Sequence, residues 1–381
     1  VASRSELVDF YKIVCFNTKY RIRFHKFFVL FKKAFMVKKK SEMRGAEVTM
    51  RDVAKLAGVS QSTVSRVLSQ KQSLVPISEE TARKVHEAIA ALDYYPNLAA
   101  RSLRGQSTKL IAIMIADISN PLYHTMVRTV QNIARQHGYD VLVANTDQVY
   151  ENEQHFCEAM MRRPVDGIVM VPYHLTDDEI GNLMDRTGAY VVALASHLRH
   201  PEVDRVFSDD GNASYETVKW LIEEKRHRRI AFIGVPENYP PGMRRHRGYV
   251  RAMQEAGLPI LPGYEQQGDF TVASGQEAMH ALLQLSERPT AVFVCNDLMA
   301  IGANLAAGDR GVRVPDEVAL VGFDNIPEGT YIRPQLTTIA QFPKEFGTQL
   351  ANALFERIEG KVTGPGRSFQ IPLQRIERES T

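Results

Sequence analysis

A small all-α head followed by an α/β body of two doubly wound parallel-sheet subdomains is the fold class this sequence predicts. Three observations lead there. The chain has 381 residues, room for two or three domains. From Thr49 to about Asp93 apolar residues recur only at helical spacing, with no strand signal. After Lys109 short apolar runs alternate with helical stretches, the pattern of strands buried on both faces and joined by crossover helices.

In the head, Thr49-Met-Arg-Asp52 reads as a capping box ahead of a helix whose apolar face is Val53, Ala54, Leu56 and Ala57. Gly58 supplies the tight turn that two crossing helices need. Ser60 caps a second helix, Gln61–Leu68, with Val64, Val67 and Leu68 facing inward. Ser78-Glu-Glu-Thr81 opens a third, carrying Val85, Ala88, Ile89 and Leu92 at helical spacing. Gln61, Ser62, Ser65 and Arg66 are left on the outer face of the second helix. Such a set suits base edges and phosphates in a major groove, and it also suits a solvated polar face of a small bundle.

Leu110–Ala116, Val141–Ala144, Gly167–Val171, Tyr190–Leu194, Ile230–Gly234, Ala291–Val294 and Val318–Gly322 read as strands of the body. Two parallel sheets in this length imply two subdomains facing each other across a cleft, with ligands at the carboxyl ends of the strands. Those ends carry Asp117–Tyr123, Thr146-Asp147, Pro172-Tyr173-His174, Ser196-His197, Cys295-Asn296-Asp297 and Phe323-Asp324-Asn325. Carboxylates, amides and aromatics together suit a polar ligand, although an Asp or Asn at any one of these places also serves as a helix cap.

Charge is distributed unevenly. Residues 1–46 hold 12 Lys/Arg against 3 acids, while residues 106–381 hold 27 against 35. A basic front on an acidic body fits contact with a polyanion, and equally an incidental basic tail on an ordinary soluble protein. Within the tail, lysines interrupt every apolar run before the ~18 residues a membrane span requires, and the order of a signal peptide is missing. Three readings stand for it: a membrane-surface segment, a DNA-touching arm, or sequence ahead of a start at Met43. Cys15, Cys157 and Cys295 lie far apart without CxxC spacing, which supports neither a disulfide framework nor a zinc site and fits a reducing cytoplasmic setting. There is no GxSxG elbow, no GxxxxGK[ST] loop, no HExxH and no GxGxxG after a strand, so neither catalysis nor a cofactor or metal is expected.

Val48–Leu68 resembles, almost residue for residue, the signature of the lactose/galactose/purine repressor family. The resemblance continues through Ile77–Thr81, Tyr95-Pro-Asn97, Ala100–Arg104, Arg228–Gly234, Ala291–Gly302, Val314–Asp324 and Leu336–Ile339. It implies a helix-turn-helix DNA-binding head (47–93), a hinge helix (94–107) and a periplasmic-binding-protein-like body (108–381). Residues 1–46 remain a basic extension. Within the body it implies one subdomain of about 108–207 and 340–367 and another of about 208–339 and 368–381.

By resemblance the DNA surface comprises Thr49, Met50, Ser60, Gln61, Ser62, Thr63, Ser65, Arg66, Asn97, Ala100, Arg101 and Leu103. Gln61 and Ser62 take the base-reading places and Leu103 that of a leucine wedged into the minor groove. Such a wedge unstacks a flexible step at a cost of a few kcal/mol. The effector surface comprises Asn120, Leu122, Tyr123, Tyr173, Arg245, Phe270, Asn296, Asp297 and Asp324, with Phe270 stacking on the ligand. Three segments depart from the family pattern. The loop Ser69–Ile77 is longer, Asp209–Ser214 replaces the usual residues, and Met243–Gly248 offers several arginines to the cleft.

The implied function is sequence-specific repression: a homodimer on a near-palindromic operator in the nucleoid, without membrane contact, controlled by a small polar metabolite such as a sugar. No leucine-heptad run follows the last strand-like stretch, Phe369–Arg375, which favours a dimer over a tetramer. A periplasmic sugar-binding protein would need a secretory signal and no helix-turn-helix. The sequence contradicts both requirements.

Overall fold

The computed structural model describes residues 48–69, 77–95 and 107–381. Head and body are separate compact units. The hinge residues Asn97, Ala100, Arg101 and Leu103, the 1–46 extension and most of the long loop lie outside the described residues.

Three helices make the head: α1 (Met50–Ala57), α2 (Gln61–Ser69) and α3 (Glu79–Leu92). Thr49 donates through its amide and hydroxyl to Asp52 at 3.0 and 2.7 Å, fixing the start of α1. Gly58 ends α1 at φ 69°, a backbone that favours glycine. Ser60 Oγ then accepts from the Thr63 amide at 3.1 Å and opens α2, and Ser78 does the same for α3 through Thr81 at 3.3 Å. Val53, Ala54, Val64, Val85, Ala88 and Tyr94 form the core, with Val67, Leu68, Ile89 and Leu92 packed around it.

In the body, β1 (Leu110–Ile115), β2 (Asp140–Asn145), β3 (Gly167–Met170), β4 (Tyr190–Leu194) and β5 (Asp204–Phe207) join β11 (Ser368–Gln370) in one sheet, ordered β11-β5-β4-β3-β1-β2 and parallel throughout. A second sheet contains β6 (Ile230–Gly234), β7 (Glu265–Gln267), β8 (Ala291–Val294), β9 (Ala319–Asp324), β10 (Thr337–Ala340) and β12 (Gln374–Ile376). Its order is β12-β10-β9-β8-β6-β7, with β12 alone antiparallel.

Crossover helices α4 (Pro121–Gln136), α5 (Tyr150–Arg162) and α6 (Asp177–Thr187) serve the first sheet; α7 (Asp210–Glu223), α8 (Pro240–Glu255), α9 (Val272–Gln284) and α10 (Asp297–Asp309) serve the second. Helix α11 (Pro343–Ile358) returns to the first, burying Phe346, Leu350 and Leu354 beside Ile111 and Ile113.

The subdomain boundaries differ from the expected ones at two places. Ala340 pairs with Asp324 and so belongs to the second sheet, while Ser368–Gln370 pairs with Arg205–Phe207 in the first. What reads as one strand, Phe369–Arg375, is two strands in different sheets. The chain therefore crosses between the subdomains three times, after β5, after β10 and after β11.

Candidate functional site

On the head, α1 and α2 meet through Gly58, and the outward face of α2 is polar. Gln61 and Ser62 are exposed, and Thr63, Ser65 and Arg66 are half-buried. The hydroxyls are tied together: Ser60 Oγ lies 2.7 Å from Ser62 Oγ and 2.8 Å from Thr63 Oγ1. Thr49 is exposed and Met50 half-buried at the start of α1. A short helix with amide, hydroxyl and guanidinium groups on one face can hydrogen-bond phosphates and base edges.

The body's candidate site is a cleft of about 750 Å³, its open mouth included, between the carboxyl ends of the two sheets. Asn120, Leu122, Tyr123, Tyr173, Arg245, Phe270 and Asp324, which the resemblance assigns to the effector surface, are among the residues that line it. Gln148, Ser196, His197, Ser208, Asp210, Arg244 and Gln341 complete its polar wall.

Arg245 is the electrostatic centre, only 4% exposed. Its Nη2 lies 3.5 Å from Asp210 and its Nη1 3.7 Å from Asp324, while Nη1 donates to the Cys295 carbonyl at 2.5 Å. Its guanidinium sits 3.6 Å above the Phe323 ring. Neighbouring Arg244 reaches Asp210 at 3.1 Å, so two of the three arginines of the Met243–Gly248 stretch, Arg244 and Arg245, face the cleft and Arg247 does not line it.

Burial pushes Asp324 up to about 6, against the pull of Arg245 and the 2.7 Å hydrogen bond from Gln341. Asp324 and Asn325 have φ of 119° and 60°, a strained turn directly at the end of β9. Tyr123 and Tyr173 meet hydroxyl to hydroxyl at 3.3 Å, and burial raises Tyr173 to about 12. Asn120 caps α4 by accepting from the Leu122 amide at 3.0 Å, which leaves its amide nitrogen available to the cleft.

Asn296 and Asp297 do not line the cleft; both stand behind its wall, fully buried. Asn296 caps α10 through the Met299 amide, and its Nδ2 donates to the Phe270 carbonyl at 3.0 Å. It thereby helps hold Phe270 at φ 69°. Asp297 accepts from the Ile326 amide at 2.9 Å and from Thr338 Oγ1 at 2.6 Å, pinning the chain just after Asp324. Burial, and then the nearby Asp324 charge, raise its own carboxyl well above the usual range.

Two buried donors in this cleft, Arg244 Nε and Arg245 Nε, have no hydrogen-bond partner. Carboxylates, amides and aromatic rings on the cleft's lining suit a polar ring-shaped ligand.

Among the described residues no helix is long and apolar enough to cross a membrane. The head matches the family model for bacterial regulatory proteins of the lacI family over residues 49–97, and residues 218–381 match a periplasmic binding protein-like domain. Catabolite control protein A of Priestia megaterium is 37% identical over 88% of this chain and 99% of its own length. A lac repressor dimer bound to operator and the anti-inducer ONPF superposes with TM-score 0.74 at 25% identity, covering 88% of this chain and 99% of that one. A complex of the transcriptional regulator CelR with cellobiose gives TM-score 0.64 at 28% identity, covering 88% and 100%. The chain belongs to the lacI family of bacterial regulatory proteins: it is a transcriptional repressor rather than an enzyme, with a helix-turn-helix head and a periplasmic-binding-protein-like, ligand-binding body.

Proposed function

We propose that this repressor grips a near-palindromic operator as a homodimer and that a sugar or sugar derivative in the inter-sheet cleft sets its operator affinity. The observation that carries the ligand reading is a cleft lined both by Arg245, held between Asp210 and Asp324, and by the aromatic ring of Phe270. Paired charges present donors and acceptors to adjacent hydroxyls, and an aromatic face covers the apolar side of a sugar ring. The body in the cellobiose complex supports the same ligand class. Because the ligand touches both subdomains, it biases their relative angle. A ligand that favours the operator-fitting state is a corepressor, and one that favours the other state an inducer.

A thermal-shift screen of sugars against nucleobases tests this, since a ligand selective for the folded state raises the melting temperature. A shift from nucleobases alone would overturn the sugar assignment. Duplex binding with and without the hit then gives the direction of control.

The two sites lead to two expected outcomes. Arg66→Ala is expected to weaken operator binding by about 10- to 100-fold, the worth of one lost contact of ~1–3 kcal/mol. The ligand-induced melting shift should be unchanged. Loss of both would refute the division of labour between head and body.

The second outcome concerns pH. Above about 6 Asp324 is an acceptor, and below that it carries a proton. Sugar affinity is therefore expected to fall roughly tenfold between pH 7 and pH 5. The same raised value makes the folded body bind this proton more tightly than the unfolded chain, so its stability contribution decreases as pH rises from about 4 to 6 and is flat above. Titration calorimetry across this window checks the affinity; a pH-independent constant removes Asp324 from the ligand's contacts.

A further inference from the structure

We propose that Asp166 is a positioning residue for operator binding, clamping the backbone at the point where the connector enters the body. This rests on the operator reading above.

Asp166 immediately precedes β3, an inner strand of the first sheet. Its main chain is fixed there, its amide donating to the Leu110 carbonyl at 2.9 Å and its carbonyl accepting from the Tyr190 amide at 3.4 Å. The carboxylate faces three consecutive residues of the incoming chain. Oδ1 accepts from the Thr108 amide and the Thr108 hydroxyl, both at 2.8 Å. Oδ2 accepts from the Lys109 amide at 3.1 Å and from the Ser107 hydroxyl. One side chain thus satisfies two backbone and two side-chain donors, the kind of charge-assisted set that fixes a turn.

The clamped turn would not hold this shape unaided. Lys109 stands at φ 57°, a conformation unfavourable for a residue with a side chain. Its ammonium lies 4.3 Å over the Tyr139 ring, and Tyr139 Oη reaches Ser107 Oγ at 3.1 Å, so the aromatic closes the other side. Although burial raises the Asp166 carboxyl, hydrogen bonds from Ser107 and Thr108 outweigh it and hold the group below the usual range, ionised at neutral pH.

The clamp also shares a strand with the cleft. β3 runs from Gly167 to Met170, every residue buried, and the chain continues through Val171 and Pro172 to Tyr173 in the cleft wall. A four-residue strand is about 13 Å long. A stiff segment therefore has the connector's anchor at one end and a ligand-facing wall at the other. Without the carboxylate, residues 107–109 gain conformational freedom, and an operator must reorder them on binding.

The test uses the full-length dimer and the duplex that the wild-type chain selects from a randomised library. Asp166→Asn keeps the shape of the side chain but turns an amide nitrogen toward donors. Its duplex affinity is expected to fall about tenfold or more, with the dimer intact, the melting temperature within a few degrees of wild type, and faster amide exchange at Thr108 and Lys109. A Ser107→Ala/Thr108→Val double variant, which retains both backbone donors, should show a smaller loss. Wild-type-like affinity in Asp166→Asn overturns the proposal, as does a loss that merely tracks unfolded or dissociated protein. If Asp166→Asn does not fold, wild-type affinity in the double variant overturns it. A wild-type chain that selects no duplex refutes the operator reading and the clamp with it, whereas selection by wild type and equal binding by Asp166→Asn refutes the clamp alone.

Discussion

Arg245→Met is expected to destabilise the body by about 3 kcal/mol at neutral pH and to abolish its response to any cleft ligand. Removing the cation from a buried charge cluster ordinarily costs about 3–5 kcal/mol, because the partners stay buried and uncompensated. Here the lower end applies, for two reasons on the carboxylate side. Asp210 retains Arg244 at 3.1 Å and the Ser208 hydroxyl at 2.6 Å. Asp324 already sits at about 6 through burial, with Arg245 pulling it down, so removal of the guanidinium drives it higher and it takes up a proton at pH 7.

That escape makes the loss pH-dependent with a definite sign. In the variant the folded state holds the Asp324 proton to higher pH than in wild type. Variant stability therefore keeps falling above pH 6, where the wild-type contribution is flat. The gap in melting temperature should be widest near pH 8 and narrow near pH 5.5, at roughly 2–4 °C per kcal/mol for a body of this size. Melting curves at the two pH values, with and without the sugar found by screening, measure both parts. A pH-independent gap, or a ligand shift that survives, would show that Arg245 is not the electrostatic centre of the site.

The inner strands were legible in the sequence because their burial is continuous. Ile111–Ile115 and Ala319–Phe323 are buried at every residue, and no polar side chain interrupts either run. The edge strands Glu265–Gln267, Ser368–Gln370 and Gln374–Ile376 are three residues each and largely exposed. Nothing in the composition of Glu265–Gln267 separates it from loop, and the division of Phe369–Arg375 between two sheets follows from the third crossover, which no local pattern encodes. In the head, the caps at Thr49, Ser60 and Ser78 were readable because each is a local arrangement of a few residues.

The same limit governed the cleft. Asn120, Tyr123, Tyr173 and Asp324 were legible because each stands at or just beyond the carboxyl end of an apolar run. Asp210 and Gln341 were missed because β5 and β10, which they closely follow, were not among the strands recognised by apolar pattern. Asn296 and Asp297 erred in the other direction. They do follow a buried strand, but the Met299 and Ile326 amides, the Thr338 hydroxyl and the Phe270 carbonyl use their polar atoms. Adjacency to a strand end fixes the neighbourhood of a side chain; competition among local donors and acceptors fixes which way it turns.

The dimer carries the other large expected effect: a Leu305→Asp/Tyr331→Asp chain should be monomeric at micromolar concentration and bind its operator about 10²- to 10⁴-fold more weakly. Tyr331 is 74% exposed and Leu305 47%, two of the large apolar side chains left at the surface. Asn304 Nδ2 donates to the Arg333 carbonyl at 3.2 Å, which brings the end of α10 and the loop after the Pro327–Thr330 turn side by side. A two-fold axis through such a patch would double each added carboxylate, so four like charges would enter one interface. With the dimer gone, a second head no longer binds at the high effective concentration set by the first, and the avidity of two half-sites disappears. The salt dependence should change with it. A single head neutralises about half the phosphates, so the slope of log affinity against log salt should be roughly halved. The melting shift with sugar should persist, because neither residue lines the cleft. Light scattering, duplex titrations at two salt concentrations and melting curves separate these parts. A dimeric mass for the double variant would exclude this patch as the interface, and a monomer that binds like wild type would exclude dimerisation as the source of operator affinity.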